Sequence, residues 1–120
     1  MDAKEAEQIL KQIQREFREG LPARLERIRA ALTVLAEGYD AEAVEVFYRT
    51  AHSLKGTAPS FDADELVDPA SALAESGRRW CEEGALDSAD LAAAFTEFER
   101  LADAVERYAA SEKVRRRDEP

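Results

Sequence analysis

A chain of 120 residues has room for one domain around one core, and its 45% hydrophobic and 36% charged composition is that of a globular protein. The excess of 26 acidic over 17 basic side chains, a net charge of -9, argues against a nucleic-acid binder, which needs a basic face to neutralise phosphates. Asp2, Lys4, Glu5 and Glu7 do not fit a secretory signal, and no apolar run has the length of a membrane span; the lone Cys81 cannot close an internal disulfide, so a cytoplasmic location is expected.

The abundance of Ala, Glu, Leu and Arg favours helix, and neither alternating β-branched runs nor Asn-Gly or Asp-Gly turns announce a strand. A first helix opens at Asp2 with Glu5 three residues on, a capping-box pattern, and directs Ile9, Ile13 and Phe17 inward. Leu21, Leu25, Ile28, Leu32 and Leu35 continue that stripe across Gly20 and Pro22, which predicts either one long kinked helix or two helices meeting near Gly20. Gly38 ends this region, and Asp40 caps the next helix, whose buried stripe is Val44, Phe47, Ala51, Leu54 and Ala58.

Pro59 should fray that helix. Asp62 with Glu65 forms another capping-box pattern, followed by a stripe of Leu66, Ala70, Leu73, Gly77 and Trp80. Pro69 lies inside this helix or, if Asp68 is the cap, at its first position. Cys81, next to Trp80, is expected to pack as a small, partly buried thiol. Gly84 closes the helix, Asp87 or Ser88 caps the last one, and Leu91, Phe95, Phe98, Ala102, Val105 and Ala109 form its inner face. Residues 1–110 are thus expected to fold as an all-α, antiparallel up-and-down four-helix bundle with a core of Leu, Ile and aromatic side chains. Residues 111–120 are expected to be a charged, mobile tail in which Lys113, Arg115, Arg116 and Arg117 complement the negative end of the last helix. A monomer is expected.

The segment Ala51-His52-Ser53-Leu54-Lys55-Gly56-Thr57-Ala58 holds the only histidine of the chain. At roughly 100° per residue, His52 points about 130° away from the centre of its helix's apolar stripe, into solvent. Lys55 and Gly56, three and four residues on, stand one turn along beside the imidazole. Lys55 could simply pair with an acidic neighbour on its face, for well under ~1 kcal/mol. Gly56 in a helix interior costs about 1 kcal/mol relative to alanine, a penalty that suggests close approach by a partner. The chain has no Gly-rich phosphate loop, no metal-ligand cluster, no internal repeat and no second catalytic group, so neither an enzyme nor a resident cofactor is expected.

The run His52-Ser53-Leu54-Lys55-Gly56-Thr57-Ala58, followed by Phe61, Ala63 and Leu66, resembles the motif of histidine-containing phosphotransfer (HPt) domains of two-component phosphorelays. In that family Lys, Gly and Ser or Thr follow the histidine at three, four and five residues. The resemblance implies that His52 is the phosphoacceptor, taking a phosphoryl group on Nε2 from a sensor histidine kinase or a receiver-domain aspartyl phosphate. Lys55 would then stabilise the phosphoryl charge, and Gly56 would let a partner carrying its own aspartate and Mg²⁺ come close. A phosphocarrier and a helical module that only docks a receiver domain, without accepting phosphate, are the two functions compatible with these residues. One departure stands out: ten residues after the histidine the family usually has glycine, and this chain has Asp62, which tolerates left-handed backbone angles or can act as a cap.

Overall fold

The computed structural model describes residues 2–118, with side chains described for residues 2–111. Four α-helices are formed, α1 (Ala3–Glu37), α2 (Ala41–Thr57), α3 (Val67–Glu83) and α4 (Ser88–Asp118), with short 3₁₀ turns at Ala58–Phe61 and Asp64–Leu66 between α2 and α3. Short connections make successive helices antiparallel, and α1 packs on α2, α2 on α3, α3 on α4 and α4 back on α1. The result is the expected all-α, up-and-down four-helix bundle. The charged tail expected from residue 111 lies beyond the described side chains after Ser111, while the backbone of α4 runs on to Asp118.

Three aspartates start three of the helices by accepting a backbone N–H three residues on: Asp2 from Glu5 at 2.8 Å, Asp40 from Ala43 at 2.9 Å and Asp87 from Asp90 at 2.8 Å. Asp87, not Ser88, is therefore the cap of α4. Of the two forms expected for the first segment, the chain adopts a single helix through Pro22. Pro22 lies on the exposed side, where water can meet a carbonyl deprived of its backbone donor.

α1 is also much longer than α2 and α3. Its 35 residues, at about 1.5 Å each, account for the 52 Å long axis of the molecule, whereas α2 and α3 have 17 residues apiece. This mismatch corrects one expectation. Ile9 and Ile13 do not face the core; they are 47% and 44% exposed, with Leu10 at 54%, because α2 and α3 are too short to reach along the first turns of α1. Burial on α1 begins at Phe17 and continues through Leu21, Ile28, Leu32 and Leu35.

Two further expectations are corrected. Cys81 is exposed, since Trp80 occupies the inward position and the next residue turns about 100° away from it. On α4 the innermost positions are Ala94, Leu101, Ala104, Val105 and Tyr108, so Leu91, Phe95, Phe98, Ala102 and Ala109 form its half-buried flank. Small alanines at the centre let the larger rings cover the edge.

The connection after α2 is built without a capping box. Asp62 takes left-handed angles, φ 56° and ψ 26°. Its N–H bonds the Pro59 carbonyl at 3.2 Å while the Ala63 N–H reaches the Ala58 carbonyl at 3.0 Å. These two bonds are the Schellman pattern that glycine usually serves at a helix end. Glu65 reaches instead towards Arg107 of α4, at 3.7 Å. Neither Asp62 nor Asp68 caps α3; Leu66 precedes it without a side-chain cap, and Pro69 is its third residue, where its missing N–H would have had no helical acceptor. Phe61 is fixed by stacking on Phe17 of α1, ring centroids 4.3 Å apart, and by its carbonyl accepting from the Tyr108 hydroxyl of α4 at 2.9 Å.

The tightest helix contact joins α2 to α3. The ring of Trp80, fully buried, stacks on Phe47 with centroids 5.2 Å apart. One turn earlier on α3, Gly77 faces Tyr48, and a Cβ added there would lie 2.9 Å from the Tyr48 Cβ and 3.0 Å from its Cα. Gly77→Ala, which would stabilise an unobstructed helix, should here lower stability by about 1–3 kcal/mol because backbone must move. Trp80→Ala should cost about 3–5 kcal/mol. Urea unfolding of both variants measures these losses.

Candidate functional site

The buried stripe of α2 consists of Ala43, Val44, Phe47, Thr50, Ala51 and Leu54, and it fixes which way the rest of the helix points. His52 is exposed on the opposite side, as its spacing from that stripe dictates. It makes no hydrogen bond among the described residues, and its only ring neighbour is Tyr48, one turn back, at 5.6 Å between centroids with the planes tilted by 36°. Tyr48 is half-buried because its Cα and Cβ rest on Gly77, so one edge of the imidazole is flanked by a fixed aromatic side chain while the other is open.

Lys55 and Gly56 are both exposed on the next turn. Lys55 forms no ion pair among the described residues, although its charge reaches Glu75 on α3. That carboxylate is already engaged. Arg78 donates two hydrogen bonds to it, one of 3.1 Å from Nε, and a third of 2.7 Å to Glu82. The Arg78 bonds hold the Glu75 carboxyl below the usual carboxylate range, helped by the charges of Arg78, Arg79 and Lys55, and the two glutamates push the Arg78 guanidinium up. The Lys55 ammonium is left without a direct carboxylate partner on this face. Gly56 has open space where a Cβ would stand, with nothing within 4 Å, so its lack of a side chain serves no contact inside the bundle.

Thr57, the last residue of α2, is half-buried and points towards α1. Its hydroxyl donates to the Ser53 carbonyl at 2.9 Å and accepts from the Arg24 guanidinium at 3.3 Å. Arg24 in turn lies 5.7 Å over the Phe17 ring, and burial, then the charge of Arg27, pushes its guanidinium down from the ordinary arginine value. Sequence reasoning counted Thr57 as a motif match and missed Arg24 altogether. The available signal was faint: two arginines three residues apart on the flank of an apolar stripe look like any solvated helix face.

His52, Lys55 and Gly56 thus share one exposed surface on α2, with Tyr48 on its α3 side and Ser53 and Thr57 on its α1 side. A free imidazole nitrogen there is open to attack an incoming electrophile, and an unpaired ammonium one turn away can offset negative charge acquired in that attack. Among the described residues no three His, Cys, Asp or Glu side chains gather closely enough to hold a metal ion, and no helix is long and apolar enough to cross a membrane.

Comparison with curated proteins and with solved structures gives no match. Comparison with protein families does: the family described as Hpt domain matches residues 12–111, a span that takes in part or all of each helix and the whole His52–Ala58 motif. The bundle and the sequence around His52 lead to the same place, and the chain belongs to the Hpt domain family, whose members carry phosphoryl groups on histidine within phosphorelays.

Proposed function

We propose that this protein accepts a phosphoryl group on His52 and relays it to or from the aspartate of a response-regulator receiver domain in the cytoplasm, with a sensor histidine kinase as an alternative donor. The observation that carries this reading is the exposure of the sole histidine, unbonded, at the motif position of an Hpt domain. In the transfer, the lone pair of the unprotonated imidazole nitrogen, Nε2, attacks phosphorus. The bond from phosphorus to the aspartyl oxygen breaks, and the carboxylate leaves with the electron pair; the reverse step returns the group to a second aspartate. The receiver would bring Mg²⁺ to offset phosphoryl charge, so the chain itself acts as a phosphocarrier. Its own part is position: Lys55 stabilises the phosphorylated imidazole, and Gly56 admits the partner's acidic pocket near His52.

Incubation with phosphoramidate, or with a phosphorylated receiver, should add one phosphoryl group by intact mass, acid-labile and base-stable, and His52→Gln should abolish it. A His52→Gln protein that still gains phosphate would refute the assignment, whereas a wild-type chain that binds receivers but never gains phosphate would identify a docking module alone.

The neighbours separate stability from transfer. Lys55→Ala should melt like the wild type, since an exposed helical residue changed to alanine costs little, yet shorten the lifetime of the adduct or slow its transfer. Gly56→Ala should raise stability by up to about 1 kcal/mol with a modest effect on transfer, because its methyl meets nothing. Gly56→Glu should fold and yet obstruct the partner. Thermal melts paired with a receiver transfer assay distinguish these outcomes.

A further inference from the structure

On the α1 side of α2, a cleft of about 180 Å³ is lined by Arg24 and Arg27 of α1 and by Arg49, Thr50 and Ser53 of α2. Three arginines line it in a chain whose net charge is -9. Among the described residues only one of them has a carboxylate partner. Arg24 donates to the neutral Thr57 hydroxyl at 3.3 Å, and Arg27 has no hydrogen bond or ion pair among the described residues. Arg49 pairs with Glu45 at 2.6 Å. Arg24 and Arg27 thus have no carboxylate partner among the described residues.

This arrangement works against the fold. Arg24 and Arg27 are like charges three residues apart on one helix, a spacing that repels, and Arg24 is also partly withdrawn from water. An anion in the cleft would relieve both penalties. The donors suit one: guanidinium forks present paired N–H groups to the oxygens of a phosphate or carboxylate. The Ser53 hydroxyl makes no other bond among the described residues, whereas the Thr50 hydroxyl is committed to the Val46 carbonyl at 2.7 Å and serves only as wall. At about 30 Å³ per water, the cleft holds the equivalent of roughly six waters, space for one tetrahedral oxyanion with some hydration.

We infer that the Arg24–Arg27–Arg49 cleft is an oxyanion-binding site, separate from His52, that takes a phosphate or carboxylate group through guanidinium forks and the Ser53 hydroxyl. The group has two possible carriers, a free phosphate compound or an acidic side chain of a protein docked on α2, and both present the same chemistry to the cleft.

The test is a titration of the full chain at constant ionic strength, chloride replaced stepwise by inorganic phosphate, followed through the arginine side-chain N–H resonances. Saturable shifts of Arg24, Arg27 and Arg49, weakened at least fivefold in Arg27→Gln and unchanged in His52→Gln, are expected. A parallel titration with a hexaglutamate peptide separates the carriers. Saturation by phosphate alone identifies a free phosphate compound, and tighter saturation by the peptide, reversed by phosphate, identifies a protein-borne carboxylate; either supports the site. Shifts that do not saturate with either probe, or that survive undiminished in Arg27→Gln, overturn it. Loss of the shifts in His52→Gln would likewise overturn the separation from His52, whatever the outcome of the phosphorylation assay.

Discussion

The spacing of α2 and α3 is set at Gly77, where the absence of a side chain lets the Tyr48 backbone settle against α3. Dispersion falls steeply with separation, so this approach is what allows Trp80, three residues further along, to stack fully buried on Phe47. It also reaches the exposed surface. Tyr48 is anchored through its Cα and Cβ at the same point, and its ring is the neighbour of His52. The imidazole therefore stands on a helix whose rotation is locked by core packing and beside a ring whose base cannot move without opening the α2–α3 contact.

The two flanks of α2 differ in charge management. Towards α3, Glu75, Arg78 and Glu82 satisfy one another, which leaves Lys55 without an ion pair among the described residues. Towards α1, Arg24 is held by a hydroxyl and an aromatic face instead of by a carboxylate. Positive charge thus flanks the exposed His52 of an acidic protein, and such an island focuses the field that an anionic group meets on approach.

The bundle was legible in the sequence because its causes are local: a 3.6-residue apolar period, three aspartate caps with the right offset, and glycines at Gly38 and Gly84 where helices stop. The positions that escaped it depend on relative lengths and on pairs of distant residues. Ile9 and Ile13 have the period of a core stripe, and only the brevity of α2 and α3 turns them out to solvent. Phe95 and Phe98 have the bulk of core residues, yet the alanines beside them decide how near α4 can come. The exposure of His52 followed from its angle to one stripe, and the openness around Gly56 from its helix position. The Arg24–Thr57 bond joins residues 33 apart and has no local pattern to announce it. Asp62 is intermediate: its tolerance of left-handed angles was readable, but the choice of that conformation over capping was made by the Pro59 and Ala58 carbonyls.

The overhang of α1 has a consequence for cooperativity. Residues 2–16 are all exposed, so this stretch is held mainly by its Asp2 cap and by surface pairs such as Lys11 with Glu7 and Gln12 with Glu16. An isolated helix of that length is marginal in water. Its amides can therefore open and exchange with solvent in a local event while Phe17 and everything beyond remain closed, giving the molecule two stability levels along one unbroken helix. The long helix thereby couples a mobile arm to a rigid bundle through Phe17, the first residue of α1 that the core holds.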